Sequence, residues 1–296
     1  MSAVQHQNVT RTLLHRRPLP ALANNDDKEA RGRALIIGGS MLVPGAILLA
    51  GIAALRAGAG KLQLATIRSA ALGLGLAIPE SLVFALPQNR SGNIDGSRAA
   101  SKLSPYVAAA NAVLVGPGMA SGRSVHQFIA ALVEQLGNNA TLVLDGAAAI
   151  ALRQDERLLK KLSGRAVLTP HAGEVASLTG LDKRDVEKHA PVIAQRAAAK
   201  FGATVVLKGA PSWIAEPGGA LFRFAGGSVG LGTSGSGDAL AGIVAGLAAR
   251  GAIPTTAALW AVWAHAASGA LLARRIGKVG FLARELLVDV PAALCG

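Results

Sequence analysis

Between Gly230 and Gly242 the chain reads Gly-Leu-Gly-Thr-Ser-Gly-Ser-Gly-Asp-Ala-Leu-Ala-Gly, and an apolar run continues from there to Ala249. Glycine disfavours regular structure ahead of Asp238, whereas the run behind it has helix length. The order predicts a loop that delivers the chain into a helix N-terminus at Asp238. At such an end the first backbone N–H groups lack partners and the helix dipole is positive, so an anion is favoured. Gly235, Ser236 and Gly237 are therefore candidates for an anion hole. Asp238 is a candidate catalytic base for a hydroxyl, in a chemistry that rests on positioning and electrostatics. The plain alternative is that Asp238 only caps the helix.

Short apolar runs alternate with longer ones along the rest of the chain. Strands are predicted over Ala34–Ile37, Leu62–Thr66, Ser81–Leu86, Ala112–Val115, Thr141–Leu144, Ala166–Thr169 and Thr204–Leu207. Helices are predicted over Pro44–Ala57, Ser124–Leu136, Ala172–Thr179, Asp185–Phe201, Asp238–Arg250 and Thr256–Arg274. This rhythm is that of an α/β fold with a doubly wound, mostly parallel sheet covered by helices on both faces. Ser212–Ala215 and Ala220–Phe224, joined by Glu216-Pro-Gly-Gly, read as a hairpin. Residues 1–27 are polar and Pro-interrupted and are expected as a loosely packed N-terminal arm. Residues 28–296 form the expected domain.

Net charge is +13, but no run of five basic residues occurs and aromatics make up only 3%. A nucleic-acid binder would cluster its cations and add stacking rings. The dispersed field instead suits small anionic ligands. Binding to an oligonucleotide is expected to be weak and to vanish near physiological salt. Submicromolar, salt-resistant retardation in a gel-shift experiment would contradict this. Residues 34–55 carry no charge, but Gly38-Gly39-Ser40 and Pro44-Gly45 divide them into a strand and a buried helix, so no membrane partner is expected. The single cysteine, Cys295, excludes an internal disulfide and fits a reducing, cytoplasmic setting.

Most remaining candidates follow a predicted strand, and in open α/β sheets ligands gather at the carboxyl ends of the strands. Gly38-Gly39-Ser40 and Pro44-Gly45-Ala46 follow the first strand. Gly116-Pro117-Gly118 follows Val115, with glycines that permit close approach. Asp145 follows Leu144. His171 and Glu174 follow Thr169, where His171 can hydrogen-bond an amide or a phosphate and Glu174 can orient it or help hold a hydrated Mg²⁺. Lys208, a point charge suited to phosphate, follows Leu207 and precedes Gly209. The other histidines, His265 among them, show no ligand spacing and read as surface or packing residues. No metal held tightly by the protein is expected.

Taken in order, these stretches resemble the ribokinase-like superfamily and, within it, the ADP-dependent NAD(P)H-hydrate dehydratases. The resemblance runs from about Lys28 to Leu294. It rests on Lys28-Glu-Ala-Arg-Gly-Arg-Ala-Leu-Ile-Ile-Gly-Gly-Ser, Pro44-Gly-Ala, Leu55-Arg-Ala-Gly-Ala-Gly and Val115-Gly-Pro-Gly. Leu168-Thr-Pro-His-Ala-Gly-Glu, Val206-Leu-Lys-Gly-Ala, Gly235-Ser-Gly-Asp-Ala-Leu-Ala-Gly, His265-Ala-Ala-Ser-Gly and Phe281-Leu-Ala-Arg-Glu-Leu-Leu complete it.

The resemblance implies a lyase of metabolite repair that phosphorylates the ring hydroxyl of hydrated NADH or NADPH and restores the coenzyme by loss of phosphate. It implies ADP, or ATP, as co-substrate with Mg²⁺. It places Ala46, Gly118, His171 and Asp238 at the hydrate, and Lys208, Gly209, Ala210, Pro211, Ser212 and Gly237 at the nucleotide. Asp145 and Glu174 are further possibilities. It implies a homo-oligomer, a tetramer in the family, working beside a separate epimerase protein, because no fused epimerase domain is expected here. Two departures stand out. The family's Asp-Ala-Asp is Asp145-Gly-Ala here, without the second acid, and Met119-Ala120 replaces a frequent Leu-Gly. A small-molecule kinase of the same superfamily and a catalytically silent nucleotide-binding protein are the alternative readings.

Overall fold

The computed structural model describes residues 4–21 and 27–295. In chain order its elements begin with β1 (Gln7–Asn8), α1 (Arg11–Arg16), β2 (Arg33–Ile37), α2 (Gly45–Arg56), β3 (Lys61–Ile67), α3 (Arg68–Ala77) and β4 (Ser81–Leu86). Then come α4 (Gly96–Ala109), β5 (Ala112–Val115), α5 (Arg123–Gln135), β6 (Thr141–Leu144), α6 (Gly146–Ala151), β7 (Ala166–Leu168), α7 (Ala172–Thr179), α8 (Lys183–Lys188) and α9 (Ala190–Phe201). The chain ends with β8 (Thr204–Leu207), β9 (Ser212–Ala215), β10 (Leu221–Phe224), α10 (Ser236–Ala249), α11 (Pro254–Arg275) and α12 (Ala283–Leu294).

The ten strands form one sheet in the order β1-β10-β9-β8-β7-β6-β5-β2-β3-β4. Only β9 runs antiparallel to its neighbours. The central strands are buried throughout, as continuous apolar runs such as Ala112–Val115 demand. Odd-numbered β2 side chains such as Leu35 and Ile37 face one core with α4, α5, α7 and α9. Even-numbered ones such as Ala34 and Ile36 face the other, with α2, α10, α11 and α12.

Small residues set the depth of the second core. A Cβ on Gly242 would lie 2.3 Å from the Ala50 carbonyl oxygen, and one on Gly246 2.4 Å from that of Ala54. The backbones of α10 and α2 therefore meet directly, which fixes where the N-terminus of α10 emerges. The uncharged stretch 34–55 is the buried strand β2 followed by α2. The α11 helix is long and apolar enough to cross a membrane by length and composition, and 67% of its most apolar window is buried in the domain.

Three expectations need correction. The expected helix Asp185–Phe201 is two, α8 and α9, because Pro191 has no N–H to continue a helix and instead opens the second one. Helices α3, α4, α6 and α12 form where the sequence pattern predicts none. Gly73, Gly75, Pro105 and Pro291 weaken local propensity there, and tertiary packing overrides it. The loose arm is, over residues 4–21, laid on the domain. Strand β1 pairs with the edge strand β10 and Leu14 of α1 is buried. The Arg17 guanidinium donates to Glu216 at 2.7 Å and lies 4.9 Å from the Phe222 ring centre, and the Trp260 indole N–H donates to the Arg17 carbonyl at 2.8 Å. The rest of the expected arm, apart from Asp27, lies outside the described residues.

Candidate active site

Because β2, β3 and β5 to β8 are parallel, their carboxyl ends share one rim. A cleft of about 340 Å³ opens there over the ends of β5 to β8. Its walls include Gly116, Gly118, Met119 and Ser121 after β5, and Asp145 with Ala147 after β6. His171 and Glu174 follow β7, Lys208 follows β8, and Gly237 and Asp238 open α10.

Lys208 sits at the centre. Its ammonium donates to Asp145 Oδ1 at 3.0 Å and lies 3.9 Å from Glu174 Oε2. Burial alone would push its pKa down, but the Asp145 and Glu174 carboxylates outweigh that and leave it raised. Asp145 Oδ1 also accepts the Thr169 hydroxyl at 2.7 Å, so the cation is aimed from two adjoining strands. A Cβ at position 237 would come within 3.1 Å of Lys208 Nζ. Glycine there lets the ammonium approach the start of α10.

The start of α10 needs one correction. Gly235 adopts φ +86°, a conformation costly for other residues, and turns the chain into the helix. The Ser236 N–H, expected in the anion hole, donates to the Thr233 carbonyl at 3.3 Å. Among the described residues, the N–H groups of Gly237 and Asp238 meet no main-chain carbonyl outside the helix, and these two residues line the cleft. Burial pushes the Asp238 carboxyl up to about 6; the Asp145 carboxylate adds to this and the Lys208 ammonium opposes it. A carboxyl so poised is a base close to neutral pH.

His171 is committed locally. Its Nδ1 accepts the N–H groups of Gly173 (3.0 Å) and Glu174 (3.2 Å) at the start of α7, and Glu174 Oε2 accepts the His171 N–H in return at 2.8 Å. With Nδ1 accepting, the ring proton is on Nε2, 3.3 Å from Glu174 Oε1. The His171 side chain is 57% exposed and lines the cleft. Other expected residues stand back from the cleft walls. Ala46 is only 4% exposed, packed behind Gly118. Gly209, Ala210, Pro211 and Ser212 form the turn beyond Lys208, where the Ser212 hydroxyl donates to the Gly209 carbonyl at 3.0 Å.

His265, read from sequence as packing, stands directly behind the Gly-rich loop. The Ser236 carbonyl can only accept, so the proton on His265 Nε2 is shared between that oxygen (3.1 Å) and Ser236 Oγ (2.9 Å). Burial holds the ring neutral, with its pKa lowered to about 4. Nothing in the spacing marks it, since 29 residues separate the partners. His265→Leu strands a buried hydroxyl, which costs about 1–3 kcal/mol, and loosens the turn before Asp238. Urea unfolding and steady-state assay should both show a loss. His265→Gln, which keeps a donor, should recover part of it. Unchanged stability in the leucine variant would disprove the support role.

This fold, with a Gly-rich loop opening a buried helix and a charged cleft on the sheet rim, defines an α/β protein of the ribokinase-like class. The family model for NAD(P)H-hydrate dehydratase matches residues 34–291, and the chain belongs to that family. It is 51% identical to the ADP-dependent (S)-NAD(P)H-hydrate dehydratase of Xanthomonas campestris pv. campestris, over 99% of this chain and 98% of that one. It is 35% identical to the bifunctional NAD(P)H-hydrate repair enzyme of Moorella thermoacetica, of which it spans 55%. A solved structure of ADP/ATP-dependent NAD(P)H-hydrate dehydratase from Bacillus subtilis, co-crystallised with ATP and Mg²⁺, matches with a TM-score of 0.84 at 28% identity, covering 98% of both chains.

Proposed function

We propose that this protein is an ADP-dependent NAD(P)H-hydrate dehydratase. Beyond kinship, the observation that carries the reading is the Asp238 carboxyl, held near pKa 6 at an anion-favouring helix start and opposite Lys208. In the proposed reaction Asp238 takes the proton of the C6 hydroxyl on the hydrated ring. The hydroxyl oxygen attacks the terminal phosphorus of ADP, and AMP leaves. The phosphate ester then departs from C6 with its electron pair while C5 loses a proton, which restores the ring double bond. The sum is hydrate and ADP to NAD(P)H, AMP, phosphate and a proton.

The N–H groups of Gly237 and Asp238 face the charge that builds on the transferring group. Lys208 supplies the fixed positive charge between nucleotide and carboxylates. The donor set suits Mg²⁺ carried by the nucleotide: among the described residues no cluster of three metal-ligating side chains exists, and the nearby carboxylates, Asp145 and Glu174, offer oxygens only. Such an ion keeps its waters and phosphate ligands and neutralises phosphate charge; Asp145 and Glu174 would hold it through them. Ala147 stands where the family's second acid is expected, so this hold would rest on fewer carboxylates.

Recovery of NADH absorbance from its hydrate, with ADP and ATP compared, tests the proposal. No recovery with either nucleotide would refute it. Lys208→Ala should weaken ADP binding in calorimetric titration. It should also move the acidic limb of the pH–rate profile upward, because the one opposing positive charge near Asp238 is gone. A limb that stays in place would remove Lys208 from that role.

The proposal extends to the cytoplasm as its setting and to a homo-oligomer. Leu72 and Leu76 of α3 and Leu82 of the edge strand β4 are 77%, 76% and 52% exposed, the kind of surface that copies cover. Light scattering decides the latter point. A separate epimerase would supply the reactive epimer of the hydrate, since the Moorella relative is bifunctional and about twice as long.

A further inference from the structure

The same rim continues past the active cleft. Sheet order places the end of β2 next to β3 and then β4, and strands lie about 4.8 Å apart. A second cleft, of about 440 Å³, opens over the ends of β3 and β4. Arg68 follows β3, Arg90 follows β4 and Arg98 lies in the first turns of α4, and all three line it. No carboxylate lines this cleft, and none of the three arginines is in an ion pair among the described residues.

Two amides in its wall are turned the same way. Gln88 Oε1 accepts the Ser69 hydroxyl at 2.9 Å and the Ser69 N–H at 3.5 Å. Asn89 Oδ1 accepts the N–H groups of Ser91 and Asn93, both at 3.0 Å. Backbone N–H groups cannot accept, so the oxygens are spent and the NH₂ groups remain. Three guanidinium groups and two amides with free NH₂ groups line one cleft with no carboxylate among them, a donor set that suits a phosphomonoester.

One loop joins this cleft to the active one. Met41 donates its N–H to the Gly92 carbonyl at 2.9 Å, and the Val43 carbonyl lies against Gly118. Between those two ties Met41, Leu42 and Val43 are 57%, 90% and 50% exposed, an apolar lip for a sugar or a base. A ligand that reacts beside Gly118 and carries a second phosphate at its far end would cross this lip and end at the arginines.

Resting on the function proposed above, we infer that the Arg68–Arg90–Arg98 cleft binds the ribose 2′-phosphate of NADPH hydrate and makes it the preferred substrate over NADH hydrate. The test is the ratio of kcat/KM for NADPH hydrate to that for NADH hydrate, in the native protein and in Arg90→Ala/Arg98→Ala. The ratio should exceed one in the native protein and fall roughly tenfold in the variant, whereas Arg184→Ala, on α8, should leave it as it was. An unchanged ratio overturns the inference. So does an equal loss with both substrates, which would assign the cleft to the pyrophosphate. If neither hydrate is turned over, the proposed reaction fails, but titration with NADP⁺ and NAD⁺ still reads the cleft. Tighter NADP⁺ binding that the double variant abolishes supports it, and equal binding of the two refutes it.

Discussion

Asp238→Asn should lower turnover by roughly two to four orders of magnitude and leave the protein at least as stable at neutral pH. The two effects share one cause. Burial and the Asp145 carboxylate push the Asp238 pKa from 3.8 up to about 6. A group whose folded pKa is raised contributes stability below its unfolded pKa and loses it as pH rises through the folded value. At neutral pH the ionised carboxylate is therefore a strained resident, and asparagine relieves about 1–3 kcal/mol of that cost. His265 has the opposite sign. Its pKa is lowered to about 4, so its contribution is present at neutral pH and lost as pH falls from about 6.5 toward 4. Between pH 4 and 6 the two slopes oppose. The asparagine variant should thus lose stability on acidification more steeply than the native protein. Calorimetric melting over this range, with turnover measured alongside, checks both halves. Retention of more than about a tenth of native turnover would dismiss Asp238 as the base.

Gly116→Ala is expected to cost about 3–5 kcal/mol and to abolish turnover. Gly116 closes β5 at φ +131°, and a Cβ there would lie 1.9 Å from the Asp145 carbonyl oxygen. The Cβ would be fixed to one backbone and the oxygen belongs to another, at the ends of two central strands, so no side chain can swing aside. Relief requires β5 and β6 to part at their carboxyl ends, exactly where Asp145 holds Lys208. Urea unfolding gives the first number and a steady-state assay the second effect. A variant that melts within about 1 kcal/mol of the native protein would show that the rim yields more easily than its packing implies.

Much of the architecture was legible because it repeats locally. Ala112–Val115, Thr141–Leu144 and Thr204–Leu207 are short apolar runs between polar turns, and each is a central strand as expected. The Gly-rich approach to Asp238 reads as a helix entry for the same reason: glycine conformation and an apolar run are properties of adjacent residues. Helices α3 and α12 were hidden, since their glycines and prolines argue against helix and only the sheet and core beneath them favour it.

The site divides along the same line. The chain by itself determined which residues follow strand ends, Gly118, Asp145, His171 and Lys208, and that Asp238 opens a helix, and so which groups can reach one rim. Only the tertiary structure decided what each of them faces. It spends the Ser236 N–H on Thr233, commits His171 Nδ1 to a helix cap and sets Ala46 behind Gly118. It also brings His265 and Thr169 to groups that lie 29 and 24 residues away in sequence. Strand and helix follow from neighbours within a turn or two. Hydrogen-bond partners and pKa values follow from groups brought together by the order of strands in the sheet, which local sequence does not encode.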